Sequence, residues 1–133
     1  MTYVLDTNIV IYYFKGVGNV RRHFSQTSYE KLFIPSIVLY ELNVGIAKSN
    51  LPDKRQMQLK QLLEYVSILP FTKKEAEHAA IVRAKLEMQG TPIGIVDGLI
   101  AGTTLTNNST LITRNVREFK RIDSLRLENW YDN

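Results

Sequence analysis

The sequence contains no cysteine, and this absence excludes several classes of protein at once. Disulfide scaffolds, thiolate zinc sites and cysteine nucleophiles are all ruled out, and the composition fits a reducing compartment. Seven glycines and four prolines among 133 residues are too few for a collagen-like repeat or a long linker. With 44% hydrophobic and 23% charged residues, the chain has ordinary globular proportions, and we expect a single domain over residues 1–133.

Long apolar runs are also missing. The longest run near the N-terminus, Ile9–Phe14, is far shorter than the roughly 20 residues that a membrane-spanning helix needs. Asp6 precedes this run and no Lys or Arg does, which argues against a signal peptide. We therefore expect a soluble, cytoplasmic protein with no membrane partner.

Acidic residues are outnumbered by basic ones, with 13 Asp and Glu against 17 Lys and Arg and a net charge of +4. This surplus is a weak indication of a polyanionic partner such as nucleic acid. The densest basic cluster, near the C-terminus, has aromatic residues interleaved, and its members are Arg114, Arg117, Lys120, Arg121 and Arg126 with Phe119, Trp130 and Tyr131. The cluster is either a phosphate-tracking surface or an ordinary solvated basic face, and the sequence leaves both interpretations open.

Short β-prone runs alternate with helical patterns along the whole chain. The predicted strands are Tyr3–Leu5, Leu32–Ile34, Val66–Leu69, Thr110–Thr113 and Leu125–Leu127. The predicted helices cover about 9–14, 19–27, 37–49 (with Ser36 as its cap), a segment from Pro52, 73–88 (opened by a Thr72–Glu75 capping box) and 92–106. Such alternation implies right-handed crossovers and a mostly parallel sheet covered on both faces, so the fold class is α/β.

Three carboxylates stand out, because functional sites of open α/β sheets lie beyond the carboxyl ends of the strands. Asp6 directly follows the first predicted strand, whereas Glu41 and Asp97 are lone acids in apolar helical stretches. An ionised carboxylate in apolar surroundings is costly unless it is paired or bound to metal. We therefore predict that the three share a hard divalent cation, Mg²⁺ or Mn²⁺. The alternative is structural: a helix cap for Asp6, an ion pair for Glu41 and a helix-start carboxylate for Asp97.

Polar residues after the fourth predicted strand point to the same edge of the sheet. The Thr113 hydroxyl and the Asn115 amide can hold a metal-bound water or steady a carboxylate, unless they only build a turn. Thr7 and Asn8, next to Asp6, and Ser36, after the second predicted strand, are weaker candidates of the same kind.

Water is the predicted nucleophile, activated by the cation. There is no cysteine, and neither of the two histidines lies near a predicted strand end. His23, beside two arginines, is interpreted as a surface residue, and His78 lies in the middle of a predicted helix.

Four segments, taken in order, resemble the PIN-domain ribonucleases, specifically the VapC toxins of bacterial toxin–antitoxin modules. They are Val4–Asn8, Ser36–Leu42, Ile93–Ala101 and Leu111–Phe119, followed by the closing Leu127–Trp130. The resemblance covers essentially the whole chain. It implies an α/β/α sandwich of the PIN type and endonucleolytic cleavage of structured RNA, often tRNA, by a water that Mg²⁺ or Mn²⁺ activates.

The same resemblance implies residue roles and partners. Asp6, Glu41 and Asp97 match the acidic metal-binding and catalytic positions, and relatives are usually homodimers silenced by a VapB antitoxin whose C-terminal segment lies over the site. Many members have a fourth carboxylate where this chain has Asn115. A neutral amide holds a cation less firmly, so the number of metals, one or two, stays open. Glu118, one helical turn later, is a candidate substitute.

Two other classes of function compete with this interpretation. A phosphorylated receiver-like domain also uses an Asp after its first strand, but it does not carry its other acids on helices as Glu41 and Asp97 are carried here. A non-catalytic basic α/β module would bind nucleic acid or a protein partner, with its acids acting only as caps and ion pairs. Salt-sensitive RNA binding without cleavage under any divalent ion would favour that module.

Overall fold

The structure, a computed structural model, describes residues 1–133 and is built on a five-stranded sheet in which every pairing is parallel. The strands, in chain order, are β1 Tyr3–Leu5, β2 Leu32–Pro35, β3 Ser67–Leu69, β4 Thr110–Ile112 and β5 Arg126–Glu128. Their order across the sheet is β3-β2-β1-β4-β5. The predicted α/β class with a parallel sheet is confirmed, and the fifth strand begins one residue later than predicted.

Seven α-helices connect and cover the strands. They are α1 Thr7–Lys15, α2 Val20–Ser25, α3 Ser36–Ala47, α4 Pro52–Leu63, α5 Lys73–Met88, α6 Ile95–Thr106 and α7 Val116–Phe119, with a 3-10 turn at Tyr29–Lys31. Right-handed crossovers place α1 to α4 on one face of the sheet and α5 to α7 on the other. Accordingly α1 packs on α2 and α3, and α5 packs on α6, while α3 also contacts α6. None of the helices combines the length and apolar character that a membrane crossing would require.

Helix boundaries follow local signals where such signals exist. Helix α5 begins where the capping box predicts, with the Thr72 backbone amide donating to Glu75 Oε1 at 2.7 Å. The predicted Ser36 cap is wrong, because Ser36 is the first helical residue of α3 and Pro35 occupies the cap position. Helix α6 begins at Ile95, later than predicted, because Gly94 adopts an extended cap conformation. Asp97 therefore lies in the first turn of α6.

The central strands form the middle of the hydrophobic core. Val4 and Leu5 of β1 and Leu111 and Ile112 of β4 have no exposed surface. Burial of each such side chain contributes roughly 1.5–3 kcal/mol, so these strands are held firmly in place. The residues that directly follow β1 and β4, Asp6 and Thr113, are therefore held at fixed positions.

The sheet changes its direction of growth between β1 and β4. From β1 the chain adds β2 and β3 on one side, and it then crosses over to add β4 and β5 on the other. Leu5 pairs with Ile112, so the next residues along each strand, Asp6 and Thr113, leave the sheet side by side. This switch point is where open α/β sheets form their binding crevice.

Candidate active site

Asp6 is held at this switch point by bonds to both of its carboxylate oxygens. Oδ1 accepts from the Thr7 backbone amide at 2.8 Å, and Oδ2 accepts from the Thr113 hydroxyl at 2.7 Å. Asp6 is thus the cap of α1, as the structural alternative required, but it is also buried, with 8% of its surface exposed. Burial raises the pKa of Asp6, the Thr113 and Thr7 bonds lower it, and the Glu41 charge raises it.

Glu41 reaches the same region from the second turn of α3. Its Oε1 accepts a hydrogen bond from the Thr7 hydroxyl, which joins it to the residue that also contacts Asp6. The four ion pairs of the chain join Lys73 to Glu77, Arg83 to Glu87, Lys85 to Asp123 and Arg114 to Asp132. Neither Glu41 nor the other two candidate acids takes part in any of them. The ion-pair explanation of Glu41 therefore finds no support.

Asp97 experiences the charges of all the other acids in this region. It is half-buried, and its pKa rises from 3.8 to about 6, first through burial and then through the charges of Asp6, Glu118 and Glu41. Its position in the first turn of α6, where a helix favours an anion, does not prevent this rise. Carboxylates from four separate parts of the chain are thus close enough to repel one another.

The two polar candidates after β4 hold carboxylates. Thr113 is fully buried; its hydroxyl donates to Asp6 and accepts from the Asn115 backbone amide at 3.0 Å. The Asn115 side-chain amide donates to Glu118 Oε2 at 3.1 Å. Asn115 therefore orients Glu118, and the role of Glu118 as a substitute for an acid at position 115 stays a prediction.

These side chains offer oxygen atoms only, which is the donor set that Mg²⁺ and Mn²⁺ prefer over softer metals. No three His, Asp or Glu side chains of the chain form a ready-made cage around one point. The fit to a cation therefore rests on the chemistry of the donors and on their mutual repulsion, which a positive charge between them would relieve. Asp6, Glu41 and Asp97 are the residues that could hold it.

The C-terminal basic cluster is not interleaved with available aromatic rings. Phe119 and Trp130 are buried in the core, so neither ring is available to a partner, and phosphate tracking by the basic residues stays a prediction. Arg114 lies over the Tyr131 ring at 3.7 Å and also pairs with Asp132. The aromatic rings of this region therefore contact other residues of the chain.

The histidines take no part in the site. His23 is half-buried and stacks on Trp130, with ring centroids 5.0 Å apart, so its interpretation as a free surface residue is wrong. His78 Nδ1 lies 2.8 Å from the Thr106 hydroxyl. Neither residue forms a hydrogen bond to a site carboxylate.

Thr7 contributes more to the site than the sequence pattern indicates. Its backbone amide and its hydroxyl contact Asp6 and Glu41 respectively, so it joins two of the three acids. The position of Thr7 directly after Asp6 is a signal for a role at the site. The signal is weak, because residues beside a helix cap are polar in many proteins. Only the position of α3 shows what its hydroxyl reaches.

Comparison with known proteins gives one consistent result. The family described as PIN domain matches residues 3–125. The chain is 34% identical over 131 residues to the tRNA(fMet)-specific endonuclease VapC of Shigella flexneri, with 98% of both chains covered. It is 36% identical over 138 residues to ribonuclease VapC2 of Rickettsia felis, again with 98% of both covered. Among solved structures, a chain of VapBC2 from Rickettsia felis, bound to a promoter DNA fragment, superposes with a TM-score of 0.91 at 37% identity, with 98% of this chain and 99% of that chain covered.

Proposed function

Because the chain belongs to the PIN-domain family, in its VapC branch of endoribonuclease toxins, we propose that it cleaves structured RNA in a reaction that depends on Mg²⁺ or Mn²⁺. Asp6, Glu41 and Asp97 hold the cation, and water is the nucleophile. Transfer RNA is the proposed substrate class, since one relative of similar length is named for it.

One observation carries the metal dependence: the pKa of Asp97 is raised to about 6 by burial and by three neighbouring acids. Carboxylates placed together without a compensating base are unfavourable for the fold alone. Such arrangements are concentrated at functional sites, where a ligand or cation supplies the missing charge.

Some residues of the site bind the cation, and others orient the residues that bind it. The Thr113 hydroxyl and the Thr7 amide each occupy one oxygen of Asp6, so its carboxylate cannot rotate freely and presents its remaining lone pairs in a fixed direction. The Thr7 hydroxyl steadies Glu41, and Asn115 steadies Glu118. Thr113 and Asn115 are therefore positioning residues in this proposal, and Glu41 or Glu118 orients the attacking water.

A bound divalent cation would lower the pKa of water and screen the charge that develops on a phosphoryl oxygen. Asp97 must lose its proton before it can serve as a ligand, and its raised pKa places that loss near pH 6. At neutral pH the carboxylate is mostly ionised. The site is then ready for the cation and repels an unneutralised phosphate.

The family to which the chain belongs also indicates its protein partner. A VapB-type antitoxin is the cognate inhibitor, and the structural relatives are toxins solved with their antitoxins. We propose that the chain forms a homodimer and acts in the cytoplasm, where its RNA substrate is present.

Cleavage of labelled RNA by the purified protein tests this function. We expect cutting with MgCl₂ or MnCl₂, none with EDTA, and a loss of at least about 100-fold in rate for Asp6→Asn and Asp97→Asn. Asp53→Asn, purified identically, is the matched control, because Asp53 is an exposed acid in the first turn of α4. It should cut like the wild type.

Unchanged cutting by Asp97→Asn, or cutting by the wild type in EDTA, would contradict the proposal. Tight, salt-sensitive RNA binding with no cleavage under either ion would instead favour the non-catalytic basic module.

A further inference from the structure

A groove of about 280 Å³ lies between α1 and α3 and is bordered by Arg55 of α4. Glu41, Gly45 and Ser49 line its α3 side at four-residue spacing, and Ile11 and Lys15 line its α1 side. Thr7, at the start of α1, bonds to Glu41, so the groove begins beside the carboxylates. By helical rise it continues for about 12 Å along α1 towards Lys15, and Ser49 borders it just beyond the end of α3.

The groove carries two positive charges that no acid neutralises. Lys15 and Arg55 are absent from all four ion pairs of the chain, and Glu41 is the only acid in the lining. Arg55 donates from Nη1 to Gln58 Oε1 at 3.0 Å, which fixes the guanidinium and leaves its other donors available. Both cations are therefore free to bind an anion.

Gly45 lines the middle of the groove without a side chain. Glycine is unfavourable inside a helix, yet a Cβ at position 45 would meet no atom within 4 Å. Packing therefore does not require glycine here. The absence of a side chain at position 45 leaves open space inside the groove.

We propose that this groove holds the RNA strand beside the scissile bond, with Lys15 and Arg55 contacting its phosphates. The inference rests on the proposed function and deepens it. The gathered carboxylates repel a polyanion, so substrate binding needs unpaired cations near them, and these two border a groove that includes Glu41 itself. The apolar side chains that also line the groove, Phe14, Leu42 and Ile46 among them, would suit a protein segment, and a protein occupant is therefore treated below as the competing outcome.

Steady-state cleavage by Lys15→Gln and Arg55→Gln tests the proposal. Each variant should raise KM roughly tenfold with kcat nearly unchanged, since phosphate contacts away from the reacting atoms act on binding. The slope of log affinity against log salt should fall by roughly 0.7 for each lost contact to a single strand. Arg55→Lys and Lys15→Arg retain the charge and should recover most of the affinity.

Lys60→Gln is the matched control, because Lys60 is an exposed base on the same helix as Arg55 and does not line the groove. Its KM and salt slope should match those of the wild type. Gly45→Ala provides a readout that is independent of folding: thermal stability should stay equal or rise, while KM increases.

The outcomes separate this inference from the function on which it rests. Failure of the wild type to cut any RNA with Mg²⁺ or Mn²⁺ would end the proposed function. Cutting by the wild type with KM and salt slope unchanged in Lys15→Gln and Arg55→Gln would overturn the groove assignment alone. Loss of antitoxin binding in these variants with KM unchanged would also overturn it and assign the groove to the protein partner.

Discussion

Asp97 shows, at the scale of one residue, that the fold tolerates an unfavourable charge. Its pKa in the folded chain, about 6, lies above the ordinary 3.8 because burial and three neighbouring acids disfavour the ionised form. A raised pKa means that the folded state binds the proton more tightly than the unfolded state does. The stability contributed by this group is therefore complete below about pH 4 and is lost as the pH rises through 6.

We expect Asp97→Asn to stabilise the metal-free protein while abolishing cleavage. At pH 8 the gain in the free energy of unfolding should be about 1–2 kcal/mol, after discounting for the half-exposed position, and it should vanish near pH 4. Denaturant unfolding in EDTA at the two pH values measures it. Asp123→Asn is the control, because Lys85 lowers the pKa of that exposed acid and its removal should bring no gain. Equal stability of Asp97→Asn and wild type at pH 8 would contradict this account.

A second prediction at the scale of one residue concerns Thr113. Thr113→Val removes the hydroxyl that holds Asp6 Oδ2, so we expect a loss of about 1–3 kcal/mol in stability. Cation affinity should fall by about 10- to 100-fold, because the ligand is no longer oriented. Calorimetric titration with Mn²⁺ measures the second effect.

Thr104→Val is the matched control for that change. Thr104 is equally buried, but its hydroxyl donates only to the Ile100 carbonyl one turn earlier in α6. Its loss should leave Mn²⁺ affinity unchanged. Equal losses of affinity in both variants would indicate a general disturbance of the fold instead of a specific role for Thr113.

Among the elements, α6 gives the sharpest contrast between neighbouring glycines. Gly94, Gly98 and Gly102 recur every four residues, a pattern that predicts close packing along one stripe. Only Gly102 is used in that way: a Cβ there would lie 2.7 Å from the Ala79 backbone nitrogen of α5, whereas one at Gly98 would meet nothing within 4 Å.

Gly102→Ala should therefore destabilise the protein by about 1–3 kcal/mol, since α5 and α6 must separate to admit a methyl group. Gly98→Ala should instead be neutral or stabilising by up to about 1 kcal/mol, because alanine favours the helix. Thermal or denaturant unfolding of the two variants side by side measures the difference. Similar effects in both would show that the stripe packs uniformly after all.

Element boundaries could be predicted only where a local signal fixes them. The Thr72–Glu75 box fixes the start of α5, and Gly16, in the left-handed region at φ 68°, ends α1. The sequence predicts too early a start for α6, because Pro92 is compatible with a first helical turn, whereas the chain is extended at Gly94 and the helix begins at Ile95. Helix α7, with four residues, is too short to carry a recognisable period.

For the whole molecule, the neighbourhood of Asp6 and Thr113 could be predicted, because parallel strands end at the same edge and register brings their next residues together. The bond from Asn115 to Glu118 and the groove shared by Lys15 and Arg55 could not. They depend on how helices far apart in sequence pack, and no periodicity encodes that. The sequence likewise could not reveal that Trp130 is buried instead of exposed to a partner.

The most direct measurement for the central claim, a divalent cation shared by the acids at the switch point, is anomalous diffraction from crystals soaked in MnCl₂. We predict a strong Mn²⁺ peak at ligand distance, roughly 2.2 Å, from carboxylate oxygens of Asp6 and Asp97, with Glu41 in the same coordination sphere directly or through water. The peak should disappear in Asp97→Asn crystals. A saturating soak with no peak between these carboxylates, or with Mn²⁺ bound only elsewhere, would contradict the account.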